Sequence, residues 1–219
     1  MQQPNAHIQL YNEYGPWLKT QLGVKAQKIS LNAGFTCPNR DGSIGKGGCT
    51  YCNNQTFNPD YCVNTKSITQ QLEEGKIFFA RKYPDMKYLA YFQAYTNTYD
   101  SVDNLKLKYE EALNVPDVIG IVIGTRPDCM PDTLLDYLEE LSHRTFLLVE
   151  YGIESVYDAT LKRINRGHTH AQTVDAIMRT AQRGIRIGAH IILGLPGENR
   201  QDMLDEAKTL SSLPISMLK

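Results

Sequence analysis

Apolar segments of strand length alternate with amphipathic segments along most of the chain. They predict strands at about 28–33, 87–95, 118–123, 145–151 and 185–193. The third of these segments carries no polar side chain, which is typical of a parallel strand that is covered on both faces. Between the strands, apolar residues recur at helical spacing. This alternation predicts an α/β fold with a parallel sheet and right-handed crossovers.

The predicted helices have recognisable start and stop signals. Pro16 in the first turn and Gly23 at the end delimit a short N-terminal helix. Ser67 and Gln70 form a capping box for the next helix, which Pro84 ends. Its apolar face is expected at Ile68, Leu72, Phe79 and Tyr83. Later helices are expected between Val102 and Pro116, from Pro131, at about 155–183 and at 199–211, followed by the start of a sixth strand at 214–218.

The composition is that of one globular domain. The chain has 219 residues, of which 42% are hydrophobic and 21% charged. A net charge of −1 gives no global basic field, so DNA is not an expected partner. The N-terminus lacks the pattern of a secretory signal, and no apolar stretch is long enough to span a membrane. Five cysteines suit a reducing compartment, and we expect a soluble cytoplasmic protein.

Three of the five cysteines lie in one glycine-rich loop directly after the first predicted strand. Cys37 precedes the pair Cys49 and Cys52, whose Cys-x-x-Cys spacing lets two thiolates reach one metal centre. An iron–sulfur cluster and a structural zinc site fit this spacing equally well, with Cys62 as the candidate fourth zinc ligand, and a disulfide remains an alternative. The loop follows the carboxyl end of a strand, where β/α barrels build their active sites.

Several further blocks accompany the cysteine loop. In chain order they are KISLNAGFTCPNRDG, GGCTYCNN, FQAYTNTY, GTRPD, EYGIES, INRGHT and HIILGLPGE. Together these blocks resemble a family of radical S-adenosylmethionine (SAM) proteins similar to the radical-SAM core of the elongator catalytic subunit, and they also resemble the coproporphyrinogen dehydrogenases. The spacing between Cys37 and Cys49 is longer than in most of the superfamily, but the elongator-like family shares it.

The resemblance implies a fold, two cofactors and a partner. The fold is a partial (β/α)6 TIM-like barrel that ends near the start of strand six, with an N-terminal arm and short helix at 1–27 and an incomplete core domain at 28–219. Cys37, Cys49 and Cys52 would bind a 4Fe-4S cluster, whose remaining iron binds SAM. Electron transfer from the cluster then cleaves SAM to a 5′-deoxyadenosyl radical that abstracts hydrogen from a substrate. A flavodoxin- or ferredoxin-type protein is the implied electron donor.

The resemblance also implies residues that contact SAM. After strand two, a polar segment would hold the SAM amino group, or would be a simple turn; its candidates are Gln93, Tyr95, Thr96 and Asn97. Glu150 is expected on strand four and Glu154 just after it, and Arg166 is expected to clamp the SAM carboxylate unless it is a surface charge on a helix. His190 and Gly194 would lie near the ribose and adenine, although His190 also suits a hydrogen-bonded core position.

The substrate is less constrained than the cofactors, and no catalytic residue toward it is assigned. A basic set is expected near the mouth of the barrel, with tyrosines between its members, and such a combination can hold RNA phosphates and stack a base. The basic residues are Arg40, Lys46, Lys162, Arg163 and Arg166, and the tyrosines are Tyr51, Tyr95 and Tyr99. The elongator-like resemblance points to a wobble uridine side chain in tRNA. A small-molecule oxidation and a non-catalytic, zinc-stabilised binding module remain the alternatives. Arg126 and Asp128 could contact SAM or substrate, or simply pair with each other.

Overall fold

A computed structural model of the protein describes residues 11–53, 58–80 and 85–219. Within these ranges the chain forms one parallel sheet of six strands in the order β1 to β6. The strands are β1 (Ala26–Leu31), β2 (Lys87–Phe92), β3 (Val118–Thr125), β4 (Phe146–Glu154), β5 (Arg186–Ile191) and β6 (Met217–Leu218). Each described strand pairs only with its sequence neighbours, so the sheet is not closed. The predicted partial barrel is confirmed.

Most helices follow the strands and cover the outside of the sheet, whereas the first precedes the sheet and the second lies in the cysteine loop. They are α1 (Tyr14–Leu22), α2 (Pro38–Asp41), α3 (Ile68–Ala80), α4 (Val102–Leu113), α5 (Asp132–Arg144), α6 (Asp158–Arg163), α7 (His170–Gln182) and α8 (Arg200–Ser211). Gly23 ends α1 with a left-handed φ of 71°, as predicted. Ser67 and Gln70 form the predicted capping box. The predicted stop at Pro84, the apolar position Tyr83 and residues 1–10 of the arm lie outside the described residues.

Several predicted strand boundaries are wrong by a few residues. Strand β1 begins at Ala26 rather than 28, and β2 ends at Phe92 rather than 95 because the chain turns at Tyr95, where φ is 65°. Strand β4 extends to Glu154, which is therefore on the strand and not after it. Strand β5 ends at Ile191, short of the predicted 193.

The long helix predicted at 155–183 is two helices. Helix α6 ends at Arg163 and α7 begins at His170. Between them, Asn165 and Gly167 have φ values of 54° and 81°, which a continuous right-handed helix does not allow. The amphipathic pattern on both sides concealed this break. The break matters for function because it places Arg166 in the connection between α6 and α7 and not on a helix face.

Two apolar clusters lie on opposite faces of the sheet. The larger cluster packs helices α3, α4, α5 and α7 against the outer face. The smaller cluster fills the inner face with Leu89, Tyr91, Val122 and Leu148, and Leu18 of α1 packs against it together with residues at the amino ends of the strands. Helix α1 therefore covers the amino end of the barrel, and the opposite edge is left for a site.

A buried carboxylate holds the turn that follows β4. Glu206 of α8 is 0% exposed and accepts a hydrogen bond of 3.0 Å from the backbone N–H of Val156. Its second oxygen has no hydrogen-bond partner among the described residues. Burial and the nearby charge of Glu198 together raise the pKa of Glu206 to about 7, despite the opposing effect of the Val156 bond.

Glu206 should make folding stability depend on pH. Because its pKa is raised in the folded protein, the unfolded chain releases the proton first, and the contribution of Glu206 to stability should fall as pH rises from about 4.5 to about 7. The loss should be on the order of 3 kcal/mol. The stability difference between wild type and Glu206→Gln, measured by urea unfolding at pH 5 and pH 8, isolates it, because His168, whose lowered pKa changes stability in the opposite direction, is present in both proteins. The exposed Glu140→Gln should retain it, and equal pH dependence in all three proteins would contradict this assignment.

Candidate functional site

A cavity of about 370 Å³ lies at the carboxyl edge of the sheet. Ten of the twelve residues selected from the sequence line it, namely Cys37, Cys49, Cys52, Gln93, Tyr95, Thr96, Glu150, Glu154, Arg166 and His190. The other two residues do not line the cavity. Asn97 is fully buried beneath the turn after β2, where its side-chain amide donates to the carbonyl of Gly124 over 2.8 Å. Gly194 lies in the loop after β5 with a φ of 77°.

The cysteine loop is anchored to the connection between α6 and α7. Cys37 precedes α2, and a backbone hydrogen bond of 3.0 Å from Cys52 to Cys49 closes the turn between the later cysteines. The backbone N–H of Thr50 donates to the carbonyl of Ile164, and the side-chain amide of Asn165 donates to the carbonyl of Gly48 over 2.8 Å. The sulfur-bearing loop and the segment around Arg166 therefore form one unit.

The three cysteines fit an iron–sulfur cluster better than a single metal ion. All three line the same cavity. Among the described residues, no three Cys, His, Asp or Glu side chains converge tightly enough to hold one ion. In a cubic cluster each thiolate binds a different iron, so the sulfurs need not converge on one point. Cys62 is 1% exposed in the outer apolar cluster and does not line the cavity, so the zinc alternative lacks its proposed fourth ligand.

The segment after β2 presents an unused acceptor to the cavity. The Oε1 atom of Gln93 is buried and has no hydrogen-bond partner among the described residues, while its residue lines the cavity. A buried carbonyl oxygen without a donor is costly unless a ligand satisfies it. An ammonium group is a suitable donor, so this atom fits the expected position of the SAM amino group.

Arg166 is buried rather than exposed on a helix, so the surface-charge alternative is wrong. Its side chain is 9% exposed, Nη2 donates to the carbonyl of Gly152 over 2.6 Å, and Nη2 lies 3.6 Å from Glu154 Oε1. Burial alone would lower the pKa of Arg166, but Glu154, Tyr51 and Cys49 together outweigh this effect and raise the pKa. A Cβ at position 152 would lie 2.6 Å from both Arg166 Nη2 and Glu154 Oε1, so a larger residue there would displace these two side chains.

Two neighbours fix the orientation of Arg166. Its Nε donates to His168 Nε2 over 3.0 Å, and burial together with Arg166 lowers the pKa of His168 to about 4, so the ring stays neutral and can accept this bond. Arg126 donates to the Arg166 carbonyl over 2.8 Å and forms two bonds of 2.9 and 2.8 Å with Asp128. Arg126 and Asp128 thus pair with each other, one of the alternatives left open by the sequence.

The inner end of the cavity is polar. Glu150 is 1% exposed, accepts a bond of 2.9 Å from His190 Nε2, and forms an ion pair with Lys28 through its other oxygen. Burial would raise the pKa of Glu150, but the His190 bond and the Lys28 charge lower it to about 2. Burial dominates at Lys28 itself and lowers its pKa. Both Glu150 oxygens therefore already have protein partners.

Sequence reasoning missed Lys28 and Asn39. Lys28 is a charged residue at an inward position of an apolar strand, and such a residue signals a buried partner. Asn39 is 1% exposed and contacts Cys49. It belongs to the CPNRDG block, but nothing in the sequence distinguished it from an ordinary turn residue.

The family model of the Radical SAM superfamily matches residues 36–210, which include the cysteine loop and strands β2 to β5. The chain belongs to the radical SAM superfamily. Members use a 4Fe-4S cluster and SAM, and the cluster, when bound, supplies the electron that cleaves SAM to a 5′-deoxyadenosyl radical. In this chain Cys37, Cys49 and Cys52 would hold the cluster, and the cavity residues around Gln93 and Arg166 would hold SAM.

Individual proteins are also similar to this chain. YtqA of Bacillus subtilis is 41% identical over 210 residues, which cover 95% of this chain and 65% of that protein. The tRNA uridine(34) acetyltransferase of Methanocaldococcus jannaschii is 25% identical over 162 residues, or 66% of this chain and 29% of that protein. The solved structure of N-terminally deleted Methanocaldococcus infernus Elp3 has a TM-score of 0.58 at 17% identity, covering 88% of this chain and 44% of that chain. This chain thus spans about two thirds of YtqA and less of the others.

Over the described ranges, no helix combines the length and apolar character needed to cross a bilayer.

Arg166→Ala should weaken SAM binding without removing the cluster. The guanidinium lines the cavity, and the loss of hydrogen bonds to the SAM carboxylate should raise the dissociation constant about 10- to 100-fold. Equilibrium binding of SAM to the reconstituted protein, with iron content in parallel, measures both effects. The exposed Arg144→Ala is the control. Unchanged SAM affinity in Arg166→Ala would remove this residue from the SAM site.

Proposed function

We propose that this protein uses the 5′-deoxyadenosyl radical to abstract hydrogen from a uridine side chain at the wobble position of tRNA. The observation that carries the proposal is the surface around the cavity, which is both basic and aromatic. Arg40 lies 5.8 Å above the ring of Tyr95, and Tyr95 is 38% exposed at the cavity. A cation beside an exposed ring suits a phosphate and a stacked base.

Three further basic residues are exposed in the two segments that the cysteine loop and the end of α6 provide. Lys46 lies in the exposed cysteine loop, and Lys162 and Arg163 are exposed at the end of α6. The hydrogen bond between Thr50 and Ile164 joins these two segments, so the three charges belong to adjoining parts of the surface. Basic residues on adjoining segments can bind successive phosphates of an RNA backbone while one base enters the barrel.

The relatives support an RNA substrate and not a particular reaction. The M. jannaschii relative is named as a tRNA uridine(34) acetyltransferase, and its similarity to this chain covers 66% of the chain. The reaction proposed for this chain needs an electron for SAM cleavage, and a flavodoxin- or ferredoxin-type protein is the proposed donor. The proposed location is the cytoplasm, where tRNA is available.

The test uses reconstituted protein, SAM, a reductant and total tRNA under anaerobic conditions. We expect 5′-deoxyadenosine release that depends on tRNA, together with a mass change in one uridine nucleoside of the digested tRNA. Lys162→Glu with Arg163→Glu should weaken tRNA binding, most strongly at low salt, while SAM binding stays unchanged. Turnover with a small molecule and none with tRNA would favour the small-molecule alternative and contradict the proposal.

A further inference from the structure

We propose that Asn39 and Arg166 set the reduction potential of the cluster through N–H···S hydrogen bonds to one cysteine. The side-chain amide of Asn39 and Nη1 of Arg166 each lie 3.6 Å from Cys49 Sγ. Both distances are normal for a hydrogen bond to sulfur. This inference rests on the cluster bound by the three cysteines and is independent of the proposed tRNA substrate.

The three groups are shielded from water. Asn39 is 1% exposed, and Arg166 and Cys49 are each 7% exposed. Water therefore competes little for either donor, and the local dielectric is low, which strengthens the electrostatic effect of each bond. By contrast, Cys37 and Cys52 are half-buried, so solvent can reach them. Cys49 therefore receives two N–H donors that are shielded from solvent, whereas the Arg40 guanidinium beside Cys52 is exposed.

The two donors are held in place by other contacts. The Asn39 amide also donates to the backbone carbonyl of Asn165, and a Cβ at Gly45 would come within 2.3 Å of Asn39 Oδ1. Arg126 holds the carbonyl of Arg166. The connection between α6 and α7 thus fixes both donors relative to Cys49. A donor that is fixed before the electron arrives needs no reorganisation when the charge changes.

The direction of the effect follows from charge. Reduction adds one negative charge to the cluster, part of which falls on the cysteine sulfurs. N–H donors and a guanidinium charge stabilise that added charge, so they raise the reduction potential. Without them, the flavodoxin- or ferredoxin-type donor would reduce a smaller fraction of the protein.

The test measures the potential directly, without SAM or tRNA. Anaerobically reconstituted wild type, Asn39→Asp, Asn39→Ser and Arg166→Lys are titrated against redox mediators, with the reduced cluster followed by electron spin resonance and with iron and sulfide measured. Asn39→Asp should reduce the ratio of reduced to oxidised cluster at a fixed potential about tenfold, equal to a shift of about 59 mV to lower values. Asn39→Ser and Arg166→Lys should shift the potential in the same direction by less.

Asn165→Gly is the matched control. Glycine accepts the φ of 54° and removes the bond from Asn165 to the Gly48 carbonyl, yet it leaves both N–H···S donors in place. Its potential should equal that of wild type. Wild-type reduction potentials in the Asn39 and Arg166 variants would overturn the proposal. A shift in Asn165→Gly as large as that in the Asn39 variants would also overturn it, because it would indicate displacement of the loop. If the Asn39 variants lose iron, their potentials cannot be compared, and the reduction potential of Arg166→Lys then tests the proposal.

Discussion

Cys37→Ala, Cys49→Ala and Cys52→Ala are each expected to abolish cluster assembly and SAM cleavage. The three thiols face one cavity, and no further cysteine lines it among the described residues, so no described thiol can replace a lost ligand. A cluster held by two cysteines would be exposed to exchange and loss. Iron and sulfide content after anaerobic reconstitution should fall from about four of each per chain to near zero.

Cys62→Ala is the control for this prediction. Cys62 is 1% exposed in the outer core, and burial raises the pKa of its thiol to about 11, so it is a protonated packing residue. The variant should lose some stability but keep its iron and the change in its electron spin resonance signal on SAM addition. Retained iron at wild-type level in any of the three loop variants would remove that cysteine from the ligand set.

Glu150→Leu is expected to destabilise the fold by about 3 to 5 kcal/mol, because it leaves Lys28 charged and buried without its partner. The side chains of Lys28 and Glu150 are 16% and 0% exposed. Such a loss is a large fraction of the free energy of unfolding of a typical domain, about 5 to 15 kcal/mol. Urea unfolding at pH 7 measures it.

The double variant Lys28→Met with Glu150→Leu separates the lost ion pair from lost packing. With both charges removed, stability should return to within about 2 kcal/mol of wild type, because the penalty of the buried unpaired charge is gone. Lys87→Met, which breaks an exposed ion pair with Asp117, should leave the unfolding midpoint near that of wild type. A double variant no more stable than Glu150→Leu would contradict the interpretation.

The helix break near Arg166 shows where sequence patterns fail. Apolar spacing continues through 155–183, yet Asn165 and Gly167 adopt positive φ values because the chain must turn there to bring Arg166 against Cys49. The periodicity of apolar residues within one segment carries no information about the contact between Arg166 and Cys49, which are 117 positions apart. Such a turn is stabilised by contacts with distant segments of the chain, and helix propensities, which depend only on local sequence, do not include these contacts.

The sequence alone determined the parallel α/β alternation, the cysteine loop at a strand end and the family blocks. These features are local, since each depends on residue type and spacing within a short segment. Only the tertiary structure decided that Lys28 pairs with Glu150, that Asn39 and Arg166 both reach Cys49, and that Asn97 and Gly194 stand outside the cavity. These contacts join distant segments, and their energies depend on burial, which exists only once the strands and helices have packed.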